Sequence, residues 1–169
     1  MNFKKYDIVS ISKSNRFFYS LIIFAGLLLS GCGTDDKSSE LIIINVLDKN
    51  YYQDCHITGS VNIPFEDLEH KVARMDKNKQ YVLYCSNYAC MAAPASATLM
   101  KNEGFKNTSV YSGGIVEWYQ QKRPYQGPAK MEYLTEENEP LAEDEEPEGV
   151  TIIKAEELLE KMKKSGLLS

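Results

Sequence analysis

Tyr81-Val82-Leu83-Tyr84-Cys85-Ser86-Asn87-Tyr88-Ala89-Cys90-Met91 joins a short apolar run to a loop, and an alanine-rich helical pattern begins directly after it at Ala92. The run from Tyr81 to Tyr84 reads as a strand buried on both faces. A cysteine on the turn from such a strand to a helix N-terminus meets free backbone N–H groups and the positive end of the helix dipole. Both favour the thiolate, the nucleophilic form. Cys85 is therefore the candidate nucleophile, and Ser86, Asn87, Tyr88, Ala89, Cys90 and Met91 form its loop.

The flanking chain repeats this alternation. Leu41-Ile42-Ile43-Ile44-Asn45-Val46 is a second continuous apolar run and reads as another buried strand. Lys49 to Asp54 is a short polar helix or turn, and Ser60-Val61-Asn62-Ile63-Pro64 a short strand ended by proline. Phe65, Leu68, Val72 and Met75 are spaced for one helix face. Ala92 to Glu103 is a helix broken at Gly104. Ser109-Val110-Tyr111 is a further strand, and Ser112-Gly113-Gly114 turns into a helix holding Trp118. Alternating strands and helices predict an α/β layered fold with a parallel sheet and right-handed crossovers. Ligands of such sheets bind beyond the carboxyl ends of the strands, where Cys85 lies.

The ends of the chain have another character. Lys4, Lys5, Lys13 and Arg16 make a basic opening, and the apolar run Phe17 to Leu29 is too short to span a bilayer of roughly 30 Å as a helix. Residues 1–31 read as a secretory signal. Leu29-Ser30-Gly31-Cys32 resembles the lipobox of bacterial lipoproteins, which implies cleavage before Cys32, lipid attachment (palmitate among the acyl chains) to its sulfur, and a membrane-anchored place in the cell envelope. The alternatives are an uncleaved anchor or an ordinary signal with a chance cysteine. Gly33 rather than Asp after Cys32 fits, by that analogy, the periplasmic side of the outer membrane in a diderm bacterium. The segments expected are a signal at 1–31, a linker at 32–40, a domain at 41–128, an acidic linker at 129–149 and a strand-helix tail at 150–169.

The formal net charge is −5, and Glu132, Glu136, Glu137, Glu139, Glu143, Asp144, Glu145, Glu146 and Glu148 share one stretch without Lys or Arg. Such a run repels itself and is expected to stay solvated as a linker; docking of a basic partner is the alternative. Nothing basic or interleaved with aromatics points to nucleic acid. With Cys32 set aside, Cys55, Cys85 and Cys90 remain, an odd count that leaves at least one thiol free or intermolecular. Their spacing, without a nearby histidine pair, suits no zinc site, and the chain calls for no cofactor.

Cys55-His56-Ile57-Thr58-Gly59-Ser60-Val61-Asn62-Ile63-Pro64 resembles the element of rhodanese domains that runs from glycine-histidine-isoleucine to asparagine-isoleucine-proline. Val82-Leu83-Tyr84-Cys85 resembles their strand into the catalytic cysteine. Gly104-Phe105, then Tyr111-Ser112-Gly113-Gly114 through Trp118, match the closing elements in order and spacing. The resemblance covers about residues 41–125. It implies the three-layer rhodanese-like fold and a sulfurtransferase activity: a cysteine thiolate takes sulfane sulfur from a small donor such as thiosulfate, a persulfide or a polysulfide. The resulting persulfide is held by loop amides and passed to a thiol acceptor. A loop of this length can aim several N–H groups at one anionic sulfur, and an ionised thiol needs no histidine base.

The departures narrow that expectation. Where the family often carries aspartate-valine-arginine, this chain has Asn45, Val46 and Leu47; Cys55 stands for the usual glycine. In the loop, Tyr88, Cys90 and Met91 replace the common glycine, arginine and serine. Without a loop cation, thiosulfate:cyanide transfer is disfavoured, and persulfide or polysulfide handling is expected. The lack of any loop Lys or Arg also argues against a phosphatase or arsenate reductase. Cys90 is read as a resolving redox partner of Cys85, or else as a small buried apolar residue at the loop edge. Cys55 is expected to be structural, Trp118 to pack in the core, and Tyr88 to line the loop mouth.

Val150-Thr151-Ile152-Ile153 and the helical pattern of 154–164, with Ala155, Leu158, Leu159 and Met162 on one face, resemble the strand and helix with which rhodanese domains begin. Almost nothing strand-like precedes Leu41. The tail is expected to dock in that opening place, a circularly permuted arrangement; a loose tail is the alternative. Two other functions stand beside sulfur transfer: a non-catalytic binding module, and a thiol-disulfide redox protein using Cys85 and Cys90.

Overall fold

Residues 40–142 and 149–168 are described in a computed structural model. The expected signal at 1–31, Cys32 and the linker up to residue 39 lie outside the described residues, as do 143–148 of the acidic stretch. Along the chain run β1 (Leu41–Asn45), α1 (Lys49–Asp54), β2 (His56–Ile57), β3 (Val61–Asn62), α2 (Phe65–Val72), β4 (Gln80–Tyr84), α3 (Ala92–Asn102), β5 (Thr108–Tyr111), α4 (Gly114–Gln120) and β6 (Tyr125–Gln126). A 3-10 turn at Glu132–Thr135, β7 (Ile152–Ile153) and α5 (Ala155–Lys164) follow.

The five-stranded sheet has the order β3-β1-β4-β5-β7, and every neighbouring pair is parallel. Its central strands lack polar alternation because both faces are covered. Period two still sorts their side chains. Leu41, Ile43, Val82, Tyr84 and Tyr111 enter one core with Ile115 and Trp118 of α4 and Leu158 and Met162 of α5. Ile44, Tyr81, Leu83, Cys85 and Val110 enter the other, with Leu68 and Val72 of α2 and Ala93, Ala97 and Met100 of α3. Helices on both faces of a parallel sheet give the expected α/β layering.

The tail docks. Val110 and Tyr111 of β5 register with Ile152 and Ile153, and Val110 N–H donates to Thr151 C=O at 2.8 Å. Helix α5 has no side-chain cap at its N-terminus, so tertiary burial has to hold it. Leu158 and Met162 are fully buried, each contributing roughly 1.5–3 kcal/mol by leaving water.

Three features differ from the sequence expectations. Phe65 does not share the inward face of α2: it is 45% exposed while Leu68 and Val72 are buried, because the helix begins at Phe65 and its first residue overhangs the core. A two-stranded antiparallel ribbon, β2 with β6, pairs His56 with Gln126 and Ile57 with Tyr125. The stretch expected to run solvated from residue 129 is instead fastened to the domain as far as residue 138. Asp54 accepts the Lys130 and Met131 N–H groups at 2.9 and 3.1 Å, Leu134 is 1% exposed, and the Gln120 amide reaches the Leu134 and Glu136 carbonyls. Asp54 and Leu134 outweigh the local charge repulsion.

Candidate active site

Strand β4 ends at Tyr84, and the two residues at its end anchor opposite faces. The Tyr84 hydroxyl accepts Ile57 N–H at 3.0 Å and bonds the Ser60 hydroxyl at 2.9 Å, fixing the turn between β2 and β3. Cys85 continues the other face at 2% exposure. Asn45, in the place expected for aspartate, is fully buried and closes the end of β1: its side-chain oxygen accepts Leu47 N–H at 3.0 Å and the Asn62 amide at 3.2 Å.

The loop from Cys85 to Met91 is held from below by α4. Ile115 N–H donates to Cys85 C=O at 3.0 Å and Val116 N–H to Ser86 C=O at 2.9 Å. That approach requires Gly114. Its φ is +63°, and a Cβ there would lie 2.4 Å from the Ser86 carbonyl carbon and oxygen. Cys90 N–H donates to Asn87 C=O at 3.2 Å, curling the loop so that residue 90 returns over residue 85. From the stretch expected to be linker, Asn138 bridges the loop to α4: its oxygen accepts Tyr88 N–H at 3.1 Å and its amide donates to Gly113 C=O at 3.0 Å.

Helix α3 begins without a side-chain cap. Its first N–H groups lie near the two sulfurs and favour their ionised forms, Ala93 N–H that of Cys85 and Ala92 N–H that of Cys90. Ser86 N–H favours both thiolates, and the Ser86 hydroxyl, which donates to Asn87 Oδ1 at 3.4 Å, lies near enough to favour that of Cys90 as well. Helix N-terminal amides offered to sulfur are the arrangement that stabilises a thiolate.

Cys85 Sγ donates to Cys90 C=O at 3.0 Å, and the two thiols lie close enough to influence each other's ionisation. They are unlinked. Two ionisable groups this close titrate as a pair. The first negative charge falls on Cys90, which is only half-buried: the Cys85 bond, Ala92 N–H and Ser86 hold it well below the ordinary thiol value of 9.0. Cys85 is pushed up, first by its bond to Cys90 and then by burial. Negative charge is therefore favoured on Cys90 over Cys85, whose S–H is held by the Cys90 carbonyl.

The rest of the expected loop surrounds this pair. Ser86, Asn87 and Tyr88 are half-buried, Ala89 is exposed, and Met91 is 54% exposed. Tyr88 turns to Glu117, and both line a cavity of about 410 Å³ with Pro140, Leu141, Lys154 and Glu156. Cys55 lies apart in the opposite core, its thiol pushed up to about 12 by burial and by the Asp54 carboxylate. Trp118 is fully buried, its N–H donating to Pro124 C=O at 2.7 Å. Among the described residues no three His, Cys, Asp or Glu side chains group as a metal would require, and no helix is long and apolar enough to cross a membrane. Asn138 and the Ala92–Ala93 amides carry no sequence signal, since an asparagine in an acidic run and two alanines are unremarkable by type.

The model of the rhodanese-like domain family matches residues 33–121. The thiosulfate sulfurtransferase GlpE of Coxiella burnetii is 26% identical over 82 residues, spanning 48% of this chain and 75% of that protein. GlpE of Shewanella oneidensis is 26% identical over 87 residues, covering 52% and 82%. An HTH-type transcriptional regulator of Mycobacterium tuberculosis is 27% identical over 82 residues, but this chain spans only 36% of its length. Among solved structures, a Bacillus halodurans protein superposes with a TM-score of 0.49 at 28% identity, covering 53% of this chain and 66% of that one.

Proposed function

The chain belongs to the rhodanese-like domain family, and on that premise we propose that it is a sulfurtransferase carrying sulfane sulfur on Cys85. The donor is a persulfide or polysulfide. As Cys85 Sγ attacks the donor's outer sulfur, its proton passes to the Cys90 thiolate, the donor's sulfur–sulfur bond breaks and the donor leaves as a thiolate. An acceptor thiolate then attacks the outer sulfur of the Cys85 persulfide and carries it away. The observation that carries this reading is the delivery of Ser86 and Ala93 N–H groups to the Cys85 sulfur, where a persulfide anion would need them. Loop residues 85–91 contain no Lys or Arg, which favours singly charged donors over thiosulfate.

Intact-mass measurement after exposure to glutathione persulfide, polysulfide or thiosulfate tests it. Capture of one sulfur atom, read as a mass gain or as released hydrosulfide, absent in Cys85→Ser and slowest with thiosulfate, is the expected result. Neither an adduct nor hydrosulfide from any donor would instead favour a binding module. We further propose that the protein is exported and lipid-anchored to the cell envelope through Cys32, on the strength of the basic opening, the run to Leu29 and Leu29-Ser30-Gly31-Cys32. Cys32→Ala should move it from the membrane to the soluble fraction; unchanged partition would reject the anchor.

A further inference from the structure

Four observations converge on what happens after Cys85 is loaded. Cys85 Sγ donates to the Cys90 carbonyl at 3.0 Å, which places the two residues in contact, and their sulfurs are not linked. Ala92 N–H and Ser86 hold negative charge on Cys90, so a nucleophilic sulfur is in place beside Cys85. No loop cation is present to hold a loaded persulfide anion. Finally, Cys85 is 2% exposed, whereas Cys90 is only half-buried and can be reached from outside.

We propose that Cys90 resolves the Cys85 persulfide, so that the domain releases hydrosulfide and is reset by an external dithiol. The proposal rests on the sulfurtransferase reading and adds its second half. Loading leaves a proton on Cys90 Sγ; that proton passes to the outer sulfur of the persulfide anion, and the Cys90 thiolate so formed attacks Cys85 Sγ, the inner sulfur, forming a Cys85–Cys90 bond. The bond from Cys85 Sγ to the outer sulfur breaks, and its electron pair leaves with that sulfur as hydrosulfide, which keeps the persulfide proton. The sulfane sulfur is reduced by two electrons, and the two cysteine sulfurs are oxidised to a disulfide by the same two. A dithiol then attacks the more accessible Cys90 sulfur, displaces Cys85 as a thiolate, and closes its own disulfide to free Cys90. The acceptor is then a dithiol reductant, and the sulfur product is hydrosulfide.

The test loads wild type, Cys90→Ser and Cys90→Ala with glutathione persulfide without oxygen, removes small molecules at once, and follows hydrosulfide release, intact mass and peptide linkage. Wild type should release one hydrosulfide per chain and end two hydrogens lighter, with Cys85 joined to Cys90. Both Cys90 variants, slower to load because the proton acceptor is gone, should keep the extra sulfur once loaded and release hydrosulfide only when a thiol is added. If wild type holds its extra sulfur as long as the variants do, the proposal is overturned while the transferase reading stands. If wild type, folded by circular dichroism, neither gains sulfur nor releases hydrosulfide, the transferase reading falls and this proposal with it.

Discussion

Cys55 and Cys85 sit in the two cores on opposite faces of one sheet, 0% and 2% exposed. Around Cys55 are Ile57, Trp118 and Leu134, with the Asp54 carboxylate nearby. Every influence there opposes charge. Around Cys85 are the amides of Ser86 and Ala93 and a second sulfur. Burial is the same, so burial does not decide which sulfur reacts. The difference lies in helix α3, which begins beside both sulfurs without a side-chain cap, and in Cys90, which is held well below the ordinary thiol value while Cys85 is pushed up.

The sharpest way to break this contrast is to remove each sulfur. Cys85→Ser should abolish sulfur uptake, whereas Cys55→Ala should retain it at a stability cost of about 1–2 kcal/mol from a small cavity. Intact mass and urea unfolding read the two effects; loss of uptake in both variants would erase the distinction. Alkylation against pH comes next. An ordinary thiol loses reactivity steadily as pH falls below 9.0, because its thiolate is protonated. Cys90 is held down to about 5, so its iodoacetamide rate should stay nearly flat from pH 9 to 6 and fall only near 5. Cys55 in the folded protein should not react across that range.

Leu158→Ala probes the core around Cys55, since α5 packs only there. It should cost about 2–5 kcal/mol in urea unfolding and expose Cys55 to alkylation before Cys85. An unchanged midpoint would mean that the tail contributes nothing to the fold. The smallest effect belongs to Asn138→Ala, which removes the bridge between Tyr88 N–H and Gly113 C=O. About 0.5–1.5 kcal/mol should be lost, with faster hydrogen exchange at Tyr88 and little change at Cys55.

The sequence made the frame of this comparison legible, because β1 and β4 are unbroken apolar runs and Cys85 stands where the second run stops. It also made the tail legible through the spacing of Leu158 and Met162. Other parts depended on contacts between distant residues. The β2–β6 ribbon has two residues per strand, too few for any periodicity. Asp54 caps Lys130 and Met131 from far along the chain, so a count of glutamates treated an attached segment as solvated. Cys90 could be seen five residues beyond Cys85, but its charge state depends on Ala92 N–H and Ser86 bonding its sulfur, which composition does not encode.

The pairing of β5 with β7 also orders events in time. A growing chain presents Val110 and Tyr111 well before Ile152 and Ile153, since α4, β6 and the acidic stretch must be made in between. Throughout that interval the outer edge of β5 offers unpaired backbone groups to any extended segment. The run of glutamates and aspartates that emerges just ahead of β7 is soluble and self-repelling. Like charges along that run disfavour its own pairing with the edge, which leaves the place open for Ile152 and Ile153.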